Sequence, residues 1–155
     1  DINGFQDAIL ASGTVLTADM LFEEKKALSD ARYEHAVECL DAAKALLESA
    51  NFKSAANRSY YAVFHAMRAV LAYDGIDMKK HSGVSSEFRK LYIKTGIFDI
   101  RLSDIISVLF DIRTDSDYND FFVISKDEVI EQVENAAFFL ATIKEHLEKR
   151  AQEHS

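Results

Sequence analysis

Proline is absent from this 155-residue chain and glycine occurs only five times. The usual punctuation of β-hairpins and sandwiches is therefore missing, which leaves long uninterrupted segments rich in Ala, Leu, Glu and Lys, all good helix formers. The class this predicts is all-α. Cysteine is limited to Cys39, so an intrachain disulfide is excluded; it sits beside Leu40 in a helical pattern, where burial as a small hydrophobe in a reducing, cytoplasmic setting is expected. No apolar run approaches the ~20 residues that span a bilayer, and the first residues lack the basic-then-apolar layout of a signal peptide. A soluble, unexported chain with no membrane partner is the expectation. The sequence starts at Asp1 rather than a methionine, as it would if N-terminal residues were missing or foreign. Positive charge is also short, with 18 Lys and Arg against 26 Asp and Glu and a formal net charge of -8. A broad, sequence-independent grip on nucleic acid needs many cations on phosphate, so any RNA or nucleotide contact must use a local basic patch.

What is present is enough apolar material, 48% of residues, for one domain with a real core. Residues 1–28 carry no clean period; Phe5, Ile9, Leu10, Val15 and Leu16 suggest a short helix or an extended N-terminal arm broken near Gly13, to which no order is assigned. Residues 29–150 read as a helical bundle. Ser29 or Asp30 would cap a first helix with Tyr33, Val37, Leu40 and Leu47 on one face, ended by a left-handed Asn51. A second helix runs from Phe52 or Lys53 to Tyr73 and is stopped by Gly75; a shorter one, capped by Ser82 and outlined by Val84, Phe88, Leu91 and Tyr92, closes at Gly96. A fourth turns Leu102, Ile105, Ile106, Leu109, Phe110 and Ile112 inward and ends at Arg113 or a little beyond. Ser125 and Glu128 form a capping box for the last, whose seam is Val129, Val133, Ala136, Leu140, Ile143 and Leu147, with a frayed tail from Lys149. Short connections between long amphipathic helices imply an antiparallel up-and-down bundle of four main helices plus a shorter one.

Three polar clusters stand out against this background. In the second helix Arg58, Tyr61, His65 and Arg68 follow one another at steps of three, four and three, which keeps them on one stripe. Tyr60, Val63, Phe64, Met67, Val70 and Leu71 form a large apolar face and Ala55, Ala62, Ala66 and Ala69 a small one, so the helix should be central, with close approach on the alanine side. A guanidinium that neutralises phosphate and an imidazole that moves a proton near neutral pH suit phosphodiester chemistry, although the same stripe also fits a solvated edge with snorkelling side chains. The second cluster, Lys79, Lys80, His81, Ser82 and Gly83, lies at a helix start, where free N–H groups and the dipole favour anions. The third, Arg113, Asp115, Asp117, Tyr118, Asn119 and Asp120, offers an Arg113–Asp117 pair at a four-residue step. Its aspartates fit no calcium loop, and the chain has no zinc-type histidine pair, serine elbow or phosphate-binding glycine loop. No metal and no cofactor is expected.

The succession Arg58-Ser59-Tyr60-Tyr61-Ala62-Val63-Phe64-His65-Ala66, then Lys80-His81-Ser82-Gly83-Val84, then Arg113 with Asp117-Tyr118, resembles the HEPN domain family of bacteria and archaea, over about Asp30 to Lys149. The resemblance implies a helical bundle that dimerises, commonly beside a small nucleotidyltransferase partner and in many cases as a toxin and antitoxin pair. Some members are metal-independent ribonucleases and others non-catalytic binding modules. The ribonuclease branch carries Arg, four to six residues, then His; here Arg113 leads to Tyr118 and no histidine follows before His146. A tyrosine of ordinary pKa near 10 is a poor base at neutral pH. The favoured reading is a dimeric module that binds a nucleotide or RNA phosphate through Arg58, Tyr61, His65, Arg68, Lys80, His81, Ser82, Arg113 and Asp117. The alternative is a ribonuclease toxin whose composite site is Arg113, Tyr118 and His65 at a dimer interface.

Overall fold

A computed structural model describes residues 18–154. Five helices follow in order: α1 (Ala18–Glu48), α2 (Phe52–Tyr73), α3 (His81–Phe88) with a π-helical continuation over Arg89–Ile93, α4 (Arg101–Tyr118) and α5 (Lys126–His154). No strand occurs among the described residues, so the chain is the expected all-α bundle of four long helices and a short one.

Helix α2 packs against all four others, most extensively against α1. Both of its apolar faces are buried: the alanines Ala55, Ala62, Ala66 and Ala69, and the large residues Tyr60, Val63, Phe64, Met67, Val70 and Leu71. Alanines let two backbones approach closely. The closeness is measured by Ser29, whose hydroxyl crosses from α1 to donate to the Ala69 carbonyl at 2.7 Å inside the core. Around α2 the remaining helices contribute Phe88, Leu102, Leu109, Val129, Phe139 and Ile143, all essentially inaccessible. The capping box forms as read from sequence: Glu128 N–H donates to Ser125 Oγ at 3.2 Å, and Ser125 N–H to Glu128 Oε2 at 3.4 Å.

Several local expectations are corrected. Helix α1 begins at Ala18, not at Ser29 or Asp30, so part of the stretch read as an arm is helical; the earlier part, with Phe5, Ile9, Leu10, Gly13, Val15 and Leu16, lies outside the described residues. The extra turns are held by tertiary contact, with Phe22 stacked on His154 at 3.4 Å and edge-on to Tyr73 at 5.7 Å, while Lys26 pairs with Asp30 at 2.8 Å. The same stack explains why the tail is helical to His154 and not frayed from Lys149. Lys80, not Ser82, occupies the cap of α3, and without a side-chain cap hydrogen bond. Phe110 is 41% exposed and does not join the core of α4. Helix α4 also runs through the polar tract to Tyr118.

The turn after α1 is a further correction, because Ala50 and not Asn51 takes the left-handed conformation, at φ 62°. Asn51 N–H then closes the helix on the Leu46 carbonyl at 2.8 Å and Ala50 N–H on Leu47 at 3.1 Å. A left-handed conformation costs a residue with a Cβ roughly 1–2 kcal/mol, and glycine escapes that cost. Ala50→Gly is therefore expected to stabilise the protein by about 0.5–1 kcal/mol in urea unfolding; a midpoint that falls would show that the turn is not strained.

Candidate functional site

Of the stripe on α2, the N-terminal half meets α4 and the start of α3. The Arg58 guanidinium lies 5.0 Å from the centre of the Tyr61 ring, and the Arg113 guanidinium of α4 lies 5.6 Å from the same ring and 5.2 Å from that of Tyr60. Cation–π contact of this kind holds a guanidinium in place while leaving its N–H groups free for an anion. Arg113 is further held by Asp117, one turn on, at 3.7 Å, a separation too long for a hydrogen bond, and its buried Nε has no hydrogen-bond partner. Beside these residues Lys53, Asn57, Arg58, Ser116 and Asp117 line an open cleft of about 360 Å³ between α2 and α4.

His81, the first residue of α3, completes the group. Its ring stacks on Phe64 at 4.2 Å, and its Nδ1 is 2.5 Å from the Tyr60 hydroxyl. Burial pushes the Tyr60 phenol up to about 12, against the pull of Arg113, so it keeps its proton. Among the described residues that hydroxyl has no other hydrogen-bond partner, and it donates to Nδ1 in the tautomer of His81 that carries its proton on Nε2. Burial, with Arg113 and Arg68 nearby, also lowers the His81 pKa, and the imidazole is neutral near pH 7. A neutral ring whose Nδ1 accepts must carry its proton on Nε2. The arrangement thus presents two guanidiniums and one imidazole N–H as donors, beside the Asp117 carboxylate that faces Arg113.

The other residues singled out in the sequence lie elsewhere. His65 stacks on His35 of α1 at 3.9 Å, and burial followed by the charges of His35, Arg68, Arg32 and Arg58 lowers its pKa to about 4. Arg68 is taken up by Asp77 of the α2–α3 loop at 3.1 Å, which also binds Arg32 at 2.8 Å. The Arg32 hydrogen bond is the main cause of the lowered Asp77 pKa. Lys80 is exposed at the α3 cap, and Ser82 borders a different cleft, lined by Arg89, Lys90 and Lys94. Tyr118 is 85% exposed, and among the described residues no hydrogen bond, ion pair or ring contact joins it to Arg113 or His65. Within one chain, then, Arg58, Tyr61, His81, Arg113 and Asp117 come together; His65 and Arg68 lie at their edge, engaged mainly by His35 and Asp77, while Ser82 and Tyr118 do not join them.

Sequence reasoning missed Tyr60, whose hydroxyl fixes the His81 tautomer from what reads as a purely apolar face. It also missed Asp77 and Arg32, which engage Arg68. Only Tyr60 left a signal, a polar atom at a core position. A side-chain group able to hold a metal is found apart from this site, at His35, Cys39 and His65.

The HEPN domain family model matches residues 29–147. A UPF0332 protein of Thermotoga maritima is 35% identical over 130 residues, covering 83% of this chain and 98% of that protein. "Putative toxin MJ0142" of Methanocaldococcus jannaschii is 33% identical over 114 residues, 74% of this chain and 78% of that protein. A UPF0332 protein of Archaeoglobus fulgidus is 30% identical over 118 residues, 76% of this chain and 94% of its own length.

The pKa of His65 has a consequence for stability. An exposed histidine in the unfolded chain protonates near 6.5, whereas His65 in the native state resists protonation until about 4. Between those values the unfolded chain binds more protons, so stability is full above pH ~6.5 and declines as pH falls through 4. His81 and His146, both lowered by burial first, act in the same direction. The urea midpoint should fall from pH 7 to pH 4.5, with a shallower slope in His65→Gln; equal slopes in the two proteins would rule out this origin.

Proposed function

The chain belongs to the HEPN domain family, and from that premise we propose that it is a phosphate-binding helical module that takes up a nucleotide or an RNA phosphate at Arg58, Tyr61, His81 and Arg113. The observation that carries this reading is the convergence of two guanidiniums on the Tyr61 ring beside the proton-bearing edge of His81. All three groups donate hydrogen bonds, which matches the acceptor-only surface of a phosphate. They are held by rings, by a 3.3 Å hydrogen bond from Arg58 to Asn57 Oδ1 and by the long contact of Arg113 to Asp117, so little has to be broken to admit an anion.

Binding is favoured over cleavage because the proton inventory is one-sided. Phosphodiester cleavage by ribose attack needs a group that accepts the 2′-hydroxyl proton. The Tyr60 hydroxyl and His81 Nδ1 are already hydrogen-bonded to each other, the Asp117 carboxylate is paired with Arg113, His65 stacks against α1, and Tyr118 faces solvent. In the proposed biological setting the protein is a homodimer that partners a minimal nucleotidyltransferase in a toxin–antitoxin-like system; the toxin name of an archaeal relative supports that setting.

The test is incubation of the pure protein with a mixed RNA pool without added metal, together with nucleotide and RNA binding by fluorescence anisotropy. Intact RNA is expected, with binding weakened about tenfold or more in Arg58→Ala and in Arg113→Ala, since a hydrogen bond to a charged group contributes roughly 1.5–3 kcal/mol. Arg113→Lys should not restore it fully, because an ammonium lacks the planar fork. Cleavage that disappears in both His81→Ala and Arg113→Ala would replace this reading with the metal-independent ribonuclease toxin.

A further inference from the structure

Where α1 packs against α2, it presents His35 and Cys39 one turn apart, and α2 presents His65 to them. One ligand atom from each of the three residues lies within 4.8 Å of the other two. We propose that this trio is a binding site for a thiophilic d10 metal ion, Zn2+ or Cu+, with a further coordination position open to solvent.

The donor set suits such an ion, because two imidazole nitrogens and one thiolate sulfur are what zinc and cuprous copper take from proteins. Donors ~2.0–2.3 Å from a tetrahedral metal are about 3.3–3.7 Å apart, so the trio has to close by roughly 1 Å. His35, exposed on the surface of α1, has to supply that movement by turning out of its 3.9 Å stack on His65, since both imidazole planes must meet at the ion. Its exposure also provides the entry path. His65 supplies the second observation: its Nδ1 is buried with no hydrogen-bond partner, although a neutral imidazole in a core normally has both nitrogens engaged. A metal would satisfy it.

The electrostatics set a condition. Arg32, Arg58 and Arg68 all act on His65, and a bare divalent ion would be repelled by them. Burial raises the Cys39 pKa, while the charge of Arg58 pulls it down. On binding, the Cys39 thiol releases its proton to solvent and the resulting thiolate cancels one positive charge of the ion. Cuprous copper would then leave the site neutral and zinc would leave it singly positive.

The test uses the untagged, reduced full chain. Co2+ as the spectroscopic stand-in for zinc, and Cu+ in competition with a chromophoric chelator, are titrated separately into the protein, His35→Ala and Cys39→Ser. The expected result is one equivalent bound in at least one arm, with one proton released per ion. Affinity should fall about tenfold or more in His35→Ala, a surface change that leaves the core intact. A sulfur-to-metal charge-transfer band that appears with Co2+ and is absent in Cys39→Ser identifies zinc-type binding; a complex seen only with Cu+ identifies the monovalent ion. Failure of both ions to bind stoichiometrically, or affinities unchanged in His35→Ala, would overturn the assignment.

Discussion

Everything in this bundle depends on α2 being enclosed. Fourteen of its 22 residues are buried, and helices pack against it on all sides. The half-buried polar side chains of a helix in that position are engaged by whichever element covers them. The result is a division of the polar stripe. Arg58 and Tyr61 are met by Arg113, His65 is met by His35, and Arg68 is met by Asp77. Residues that look like one site along the sequence are two or three sites once their neighbours are in place.

This division also marks the boundary of what the sequence made legible. Periodicity and end signals are local, and they located α2, the Ser125–Glu128 box and the stops at Gly75 and Gly96, both in positive-φ conformations. The start of α1 was hidden because Leu21, Phe22 and Leu28 are too few apolar positions beside Glu23, Glu24, Lys25 and Lys26 to mark a face; Phe22 is placed by His154, which is remote in sequence. The site itself was legible in its members but not in its grouping. Arg113 could be singled out from the polar tract, and His81 from the helix start, yet only the fold shows that both lie against Tyr60. His35 escaped notice because an isolated histidine on an exposed helix face carries no pattern of its own.

The balance of charge is similarly local. A chain with net charge -8 repels phosphate at long range, but screening confines that repulsion to about 8–10 Å at physiological salt. Within that distance the count around α2 is reversed: Arg32, Arg58, Arg68 and Arg113 face Asp77 and Asp117. The two carboxylates are unequal in effect. Asp77 bonds two guanidiniums directly and removes them from service, whereas Asp117 only steadies Arg113 from 3.7 Å. Free cationic capacity is therefore concentrated at Arg58 and Arg113, on the side where the cleft opens.

Arg58 links this side of α2 to the other. Its guanidinium lies over Tyr61, and its charge also acts on the Cys39 thiol and on His65. An anion in the cleft and a thiolate at Cys39 would compete for the same positive charge. Thermodynamic linkage makes any such coupling reciprocal. Burial keeps Cys39 a neutral thiol until a metal displaces its proton, so zinc, which would leave the trio singly positive, would add to the field of Arg58 at the cleft, whereas cuprous copper would leave it unchanged. The shared arginine would thus couple phosphate affinity at the cleft to occupancy of the His35, Cys39 and His65 trio.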